Sequence, residues 1–210
     1  SMGLSYLSNS GIVDIAQPLL NRLAEVSGEL VRLSVVDGDR LTWVARAQGA
    51  RQGLRYDPDM GSDARLSCSS SGWAWLSSMS DDDALALVAK QGLGQPDQFG
   101  PAAPATLQDV LAAVQATRER GYSMTTDTYT PGLSAISAPV RFAGQPAFGV
   151  LTIAGPTVRF NAERMQAMGP ELVATAQQLA TLSGASPFFQ LTTETGKTAA
   201  ADGRKPIYAV

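Results

Sequence analysis

The chain has 210 residues, 44% of them hydrophobic and 17% charged, which suits one soluble globular domain with a tail. A formal net charge of −3 and a pI near 4.9 argue against a nucleic-acid surface, which would concentrate Lys and Arg. Histidine is absent, one cysteine is present, and no apolar run reaches the ~20 residues of a membrane span, which together disfavour zinc chemistry, an internal disulfide and membrane insertion. No signal peptide is visible either, so a cytoplasmic location is expected.

Ser1-Met2-Gly3 resembles a cloning remnant, and the folded domain is expected over residues 4–183. Ile12, Ile15, Leu19, Leu23 and Val26 recur every three to four residues, which predicts an amphipathic helix closed by Gly28. Pro18 within it marks either a kink or a start near Gln17. Leu30–Asp37 and Arg40–Gln48 then read as a hairpin turning at Gly38-Asp39, with a further strand at Gln52–Asp57. Ser80 with Asp83, and Thr106 with Asp109, predict two capped helices, the second ending at Gly121. Gly92 to Ala105 is a Gly/Pro-rich loop. Asn161 caps a last helix carrying Met165, Met168, Leu172, Ala176 and Leu179, with Pro170 expected to bend it. From Gly184 the composition turns polar and predicts a tail pinned by Phe188 and Phe189.

The most informative stretch is Gly121 to Pro156, two strands joined at Gly144-Gln145-Pro146. Ile136, Ala138, Val140 and Phe142 alternate with Ala135, Ser137, Pro139 and Arg141, while Leu151 and Ile153 alternate with Phe148, Val150, Thr152 and Ala154. Period-two alternation sends each set to its own side of a sheet. One side is apolar enough to lie under helices. The other carries small, weakly polar residues and predicts a pocket.

This stretch also carries a resemblance. Gly121-Tyr122, then Tyr129-Thr130-Pro131-Gly132-Leu133-Ser134-Ala135-Ile136-Ser137-Ala138-Pro139-Val140, then Ala154-Gly155-Pro156 resemble the effector-binding domain of IclR-type bacterial transcription regulators, which has a GAF-like fold. Leu23 to Gly28, the hairpin after it, and Arg65 to Leu76 are similar to the family's first helix, opening hairpin and loop-to-helix motif, in the same order. The resemblance implies an α+β domain with a central antiparallel sheet of about six strands, helices on one face and a ligand pocket on the other. It also implies a small-molecule effector, a homodimer or homotetramer, and DNA contacts made only through a winged helix-turn-helix domain not seen in these residues.

Candidate effector-binding residues follow from both readings. A helix beginning near Ser69, Ser70 and Ser71 would aim unpartnered amide N–H groups at an anionic oxygen, as the family's loop does; plain N-capping by the serines is the alternative. By the family pattern, Thr125 stands where small-acid sensors have an aspartate, Ala135 where they have a cysteine, and Thr152 and Ala154 where they have serines. With those partners lost, a compact keto-acid is poorly held, and a roomier, more apolar pocket for an aromatic or branched carboxylate or amide is expected. Met60, Trp43, Leu133 and Phe148 are the candidate walls. Trp73 is expected either at a subunit contact or in the core. Cys68 has no histidine to activate it, Ser69-Ser70-Ser71-Gly72 is not a nucleophile elbow, and Asp81-Asp82-Asp83 fits the first turn of a helix better than a metal site. No catalytic residue, metal or cofactor is therefore expected. A hydrolase-like enzyme, or a GAF-like dimerisation or sensory module of another signalling protein, are the alternatives to an effector sensor.

Overall fold

The computed structural model describes residues 2–60 and 62–185. In chain order its elements are α1 (Met2–Ser27), β1 (Leu30–Asp37), β2 (Arg40–Gln48), α2 (Ser70–Leu76), α3 (Asp81–Gln91), α4 (Leu107–Arg120), β3 (Ser123–Thr126), β4 (Leu133–Val140), β5 (Gly149–Pro156) and α5 (Ala162–Gly184), with a short 3₁₀ turn at Pro96–Gln98. The strands form one antiparallel sheet in the order β2-β1-β5-β4-β3. β5 lies at its centre and is buried along its whole length.

The alternation seen in the sequence sorts the two faces. Val31, Leu33, Ile136, Ala138, Val140, Leu151 and Ile153 pack under α1 and α5, against Ile12, Leu20, Leu23, Met165, Leu172 and Leu179. The opposite face splits in two. At one end Val150, Leu41 and Trp43 meet Trp73, Trp75, Leu76, Val88 and Val114 of the three shorter helices. At the other, Leu133, Ala135 and Ala154 form a small patch against which Tyr56 and Tyr129 pack.

A β-bulge decides which residues of β2 reach that second face. Leu33 pairs with Ala45 but Ser34 pairs with Trp43, so Val44 is the extra residue. Without it Val44 would sit opposite Ser34 and Trp43 would turn toward α1. With it, Trp43 shares the face of Arg32.

Local chemistry explains the helix ends. Ser80 Oγ accepts from Asp83 N–H, Thr106 and Asp109 cap each other, and Asn161 Oδ1 accepts from Arg164 N–H. Gly121 stops α4 in the left-handed region at φ +87°, where a Cβ is disfavoured. Arg118 clamps Asp81 and the carbonyls of Ser77 and Met79, which gives the acidic first turn of α3 a structural partner. Trp73 is buried and its indole N–H donates to the Ser67 carbonyl, so it belongs to the core.

Some expectations change. The sheet has five strands, because Gln52–Asp57 forms no ladder; that segment is an exposed strap held by single contacts. α1 runs through Pro18 without stopping there, and Val26 points to solvent. α5 carries Pro170 inside it and continues through Gly184, while the remainder of the expected tail, with Phe188 and Phe189, lies outside the described residues.

Leu151 is fully buried at the centre of the sheet, so Leu151→Ala is expected to cost about 2–5 kcal/mol and to lower the melting temperature by roughly 5–15 °C. Val158→Ala, at a largely exposed position, should stay within about 0.5 kcal/mol of the parent by the same thermal scan.

Candidate effector pocket

The sheet register lays two rows of side chains across the second face. Directly opposite partners run Arg46, Arg32, Thr152, Ser137 and Ser123 from β2 to β3. The next row runs Gln48, Leu30, Ala154, Ala135 and Thr125. Opposed residues share a face, so both rows look the same way. Where they meet the start of α2, a cavity of about 50 Å³ opens. Its floor is Arg32, Thr152, Ala154, Ala135, Leu133 and Thr125; its roof is Ser69, Ser70 and Ser71. Trp43, Tyr129 and the strap residues Tyr56, Pro58, Asp59, Ser62, Ala64 and Arg65 close the sides.

The strap is fastened at both ends. Gln48 Nε2 donates to the Tyr56 carbonyl at 2.9 Å, and Arg46 Nη1 reaches Asp57 Oδ1 at 2.8 Å. Further on, Ala64 N–H donates to the Leu41 carbonyl at 2.8 Å, and Thr42 bridges Asp63. The first of these ties brings Tyr56 to Arg32.

The roof depends on one close approach. A Cβ on Gly72 would lie 2.6 Å from Leu66 Cα and 2.7 Å from its carbonyl oxygen, so only glycine lets α2 sit against the preceding turn. Ser69 caps the helix by accepting from Gly72 N–H at 3.0 Å. Ser70 Oγ pairs with Ser123 Oγ at 2.6 Å, and Thr128 Oγ1 donates to the Cys68 carbonyl at 2.7 Å. These bonds fix the serine turn to β3 and to the loop after it.

Most hydroxyls around the cavity are thus committed within the protein. Thr152 Oγ1 bonds Ser137 Oγ at 2.7 Å, and Thr125 Oγ1 donates to the Ala135 carbonyl at 3.3 Å. The Ser70 and Ser71 N–H groups, by contrast, find no acceptor among the described residues.

Two guanidiniums complete the lining. Arg32 is 6% exposed and lies 3.6 Å over the Trp43 ring, with the Tyr56 ring centroid 5.5 Å away. Burial pulls its pKa down from the usual arginine value, with the neighbouring tyrosines opposing, and burial pushes the Tyr56 hydroxyl up. Arg65 is half-buried and stacks 5.4 Å from the Phe99 ring. The Nε of each is buried without a hydrogen bond among the described residues.

Nine of the sequence candidates therefore line one cavity: Trp43, Ser69, Ser70, Ser71, Thr125, Leu133, Ala135, Thr152 and Ala154. Two do not. Phe148 precedes β5 rather than lying in it, so the strand alternation does not extend to it; it packs on the α1/α5 side and against Phe142 at 5.3 Å. Met60 packs at the edge of the tryptophan cluster. Arg32, Tyr56 and Tyr129 reach the cavity beside Ala135 and Ala154, and the space left holds about three or four waters.

Arg32, Arg65, Tyr56 and Tyr129 also line the cavity, beyond the residues expected from the sequence. The signal for Arg32 was present: a lone cation in the run Leu30-Val31-Arg32-Leu33-Ser34-Val35-Val36, on the face opposite Val31, Leu33 and Val35. The strap residues gave none, because their approach depends on Asp57 and Tyr56 meeting Arg46 and Gln48 across the chain.

Cys68 is buried in the same turn, and burial pushes its thiol up to about 11. At pH 8 the native protein should react with a disulfide reagent about 100-fold more slowly than the guanidinium-unfolded chain, followed by thiolate absorbance. Fast native labelling would mean that the turn opens readily.

Comparison with known proteins agrees with this architecture. Residues 4–181 match the family model described as "Bacterial transcriptional regulator IclR C-terminal". The chain is 30% identical over 178 residues to the HTH-type transcriptional regulator BhcR of Paracoccus denitrificans, covering 84% of this chain and 62% of that protein. It is 28% identical over 179 residues to the acetate operon repressor of Salmonella typhimurium, covering 85% and 64% respectively. The chain thus spans less than two thirds of the length of these curated relatives, whose names are those of regulators rather than enzymes. Among solved structures, an ICLR transcriptional regulator from Silicibacter sp. TM1040 superposes with a TM-score of 0.75 at 20% identity over 90% of this chain and 74% of that one. The Acinetobacter PobR inducer-binding domain, as a double mutant with 3-hydroxybenzoic acid, gives 0.70 at 24% over 81% and 98%. An extended match to the family model, supported by these relatives and by the shared fold, shows that the chain belongs to the C-terminal domain family of IclR-type bacterial transcriptional regulators.

Proposed function

We propose that this domain senses a small organic carboxylate with a branched or aromatic body and passes its occupancy to a DNA-binding domain elsewhere in the full-length protein. The observation that carries this reading is the cavity itself, set between the inner strands and the amide end of the serine turn. Its lining is divided in character. Leu133, Ala135 and Ala154, with the two tyrosines, offer an apolar wall; the Ser70 and Ser71 amides and the arginines offer donors to an anion.

A ring or branched chain exceeds the ~50 Å³ enclosed here, so binding requires the strap around Tyr56 to move outward. That requirement is also the signalling mechanism we infer. The ligand stabilises one strap position by its difference in affinity between the two, and can shift the equilibrium only by that difference. In a homodimer or homotetramer in the cytoplasm, the assembly we infer for the full-length regulator, such a shift would alter the spacing of the DNA-binding domains.

Thermal melting with a panel of acids tests the reading. Pyruvate and glyoxylate are expected to leave the melting temperature unchanged, while isovalerate, benzoate or 3-hydroxybenzoate near 100-fold above Kd should raise it by about 5–10 °C. Ala154→Leu fills the cavity and should abolish that rise while the unliganded protein stays folded. Equal stabilisation of the parent and Ala154→Leu would place the binding site elsewhere.

A further inference from the structure

Arg32 occupies an unusual position in this molecule. It is buried on a central strand, yet among the described residues no carboxylate lies within ion-pair distance of it, and its Nε has no hydrogen-bond partner. The other buried charge behaves differently. Glu29 is held by Arg159 through two bonds, Nε to Oε1 at 2.5 Å and Nη2 to Oε2 at 3.0 Å. Arg46, the direct neighbour of Arg32 across β1 and β2, has Asp57. Asp59 shares the cavity with Arg32 but is exposed and forms no ion pair among the described residues.

An unpaired buried cation is costly to keep, because desolvation is not repaid by a counter-charge. Its surroundings hold it for planar recognition. The guanidinium lies 3.6 Å over the Trp43 ring, which fixes its plane, and the Tyr56 hydroxyl engages one part of its edge, so the remaining N–H donors of that edge are the face available to a ligand. A guanidinium edge matches the two oxygens of a carboxylate. The apolar patch of Leu133, Ala135 and Ala154 borders the same cavity.

We propose that Arg32 is the anion anchor of this domain: it takes the carboxylate of the effector edge-on, selecting acids over their neutral amides, and the effector supplies the counter-charge that the fold withholds. This rests on the reading of the cavity as an effector site and assigns the residue that takes the ligand's carboxylate. It also assigns Arg32 a cost in the empty protein that a structural arginine would not have.

The experiment uses three variants, Arg32→Met, Arg32→Lys and Ala154→Leu, melted without ligand and titrated with the pairs benzoate/benzamide and isovalerate/isovaleramide. Without ligand, Arg32→Met is expected to melt at the parent temperature or above it; a fall of more than about 5 °C would make Arg32 a structural residue and overturn the proposal. With ligand, the parent should bind each acid at least about tenfold more tightly than its amide. Arg32→Met should erase that preference, and Arg32→Lys, with a charge but no planar fork, should restore part of it. Acid and amide binding equally to the parent would overturn the anchor, as would failure of both acids to bind. Binding of the acid to Arg32→Met within about threefold of the parent, with binding lost in Ala154→Leu, would also remove the anchor while leaving the pocket in place. Acid binding retained in both variants would remove the pocket reading itself.

Discussion

The sheet of this domain must be covered on both faces, and β5 imposes that condition. Every residue from Gly149 to Pro156 is buried, so neither side of the central strand tolerates bulk water. Leu151 and Ile153 meet the requirement with α1 and α5 in an ordinary apolar layer. On the other side Val150 is covered by the tryptophan cluster, but Thr152 and Ala154 are too small to reach a helix. Their cover is assembled from a serine turn above, a strap from the side, and two tyrosines. A cavity remains where these pieces meet. The site is therefore a consequence of short side chains at the middle of a sheet that has to be closed.

Polarity on that face is distributed by register. Because the strands pair antiparallel without slippage from β1 through β3, Arg32, Thr152, Ser137 and Ser123 fall into line, and Ser70 joins the row from above. The hydroxyls satisfy one another, which rigidifies the floor and leaves few free acceptors or donors. What stays unsatisfied is cationic or amide in character: the Nε groups of Arg32 and Arg65 and the first amides of α2. No pocket carboxylate is ion-paired to Arg32, whereas the buried carboxylate outside the pocket, Glu29, has its arginine. Both arginines line the cavity, so the uncompensated positive charge of Arg32 borders it.

Mobility is distributed along the same lines. α1, α5 and the inner strands share one continuous apolar layer, and local opening there would expose most of the core. The strap from residue 51 to residue 60 has mainly exposed side chains and is tied by a few polar contacts to β2. An element bound by so few interactions can change position without loss of the fold.

Much of this was legible in the residues alone. The alternation in Ile136–Val140 and Val150–Ala154 determined the two-sided sheet, because period two leaves no freedom in which face a side chain takes. The serine and threonine caps and Gly121 determined the helix ends, because they act within four residues of the groups they satisfy. Other features were decided only by tertiary structure. Trp43 reaches the pocket through a bulge at Val44 that depends on pairing with β1. Phe148 leaves it because β5 starts one residue later, at Gly149. Arg32 has no carboxylate partner while its neighbour Arg46 pairs with Asp57, and Tyr56 is brought near it by a segment whose carbonyl Gln48 holds. Short-range periodicity and capping are set by neighbours in the chain, while the size and charge of a cavity depend on which distant side chains arrive to fill it.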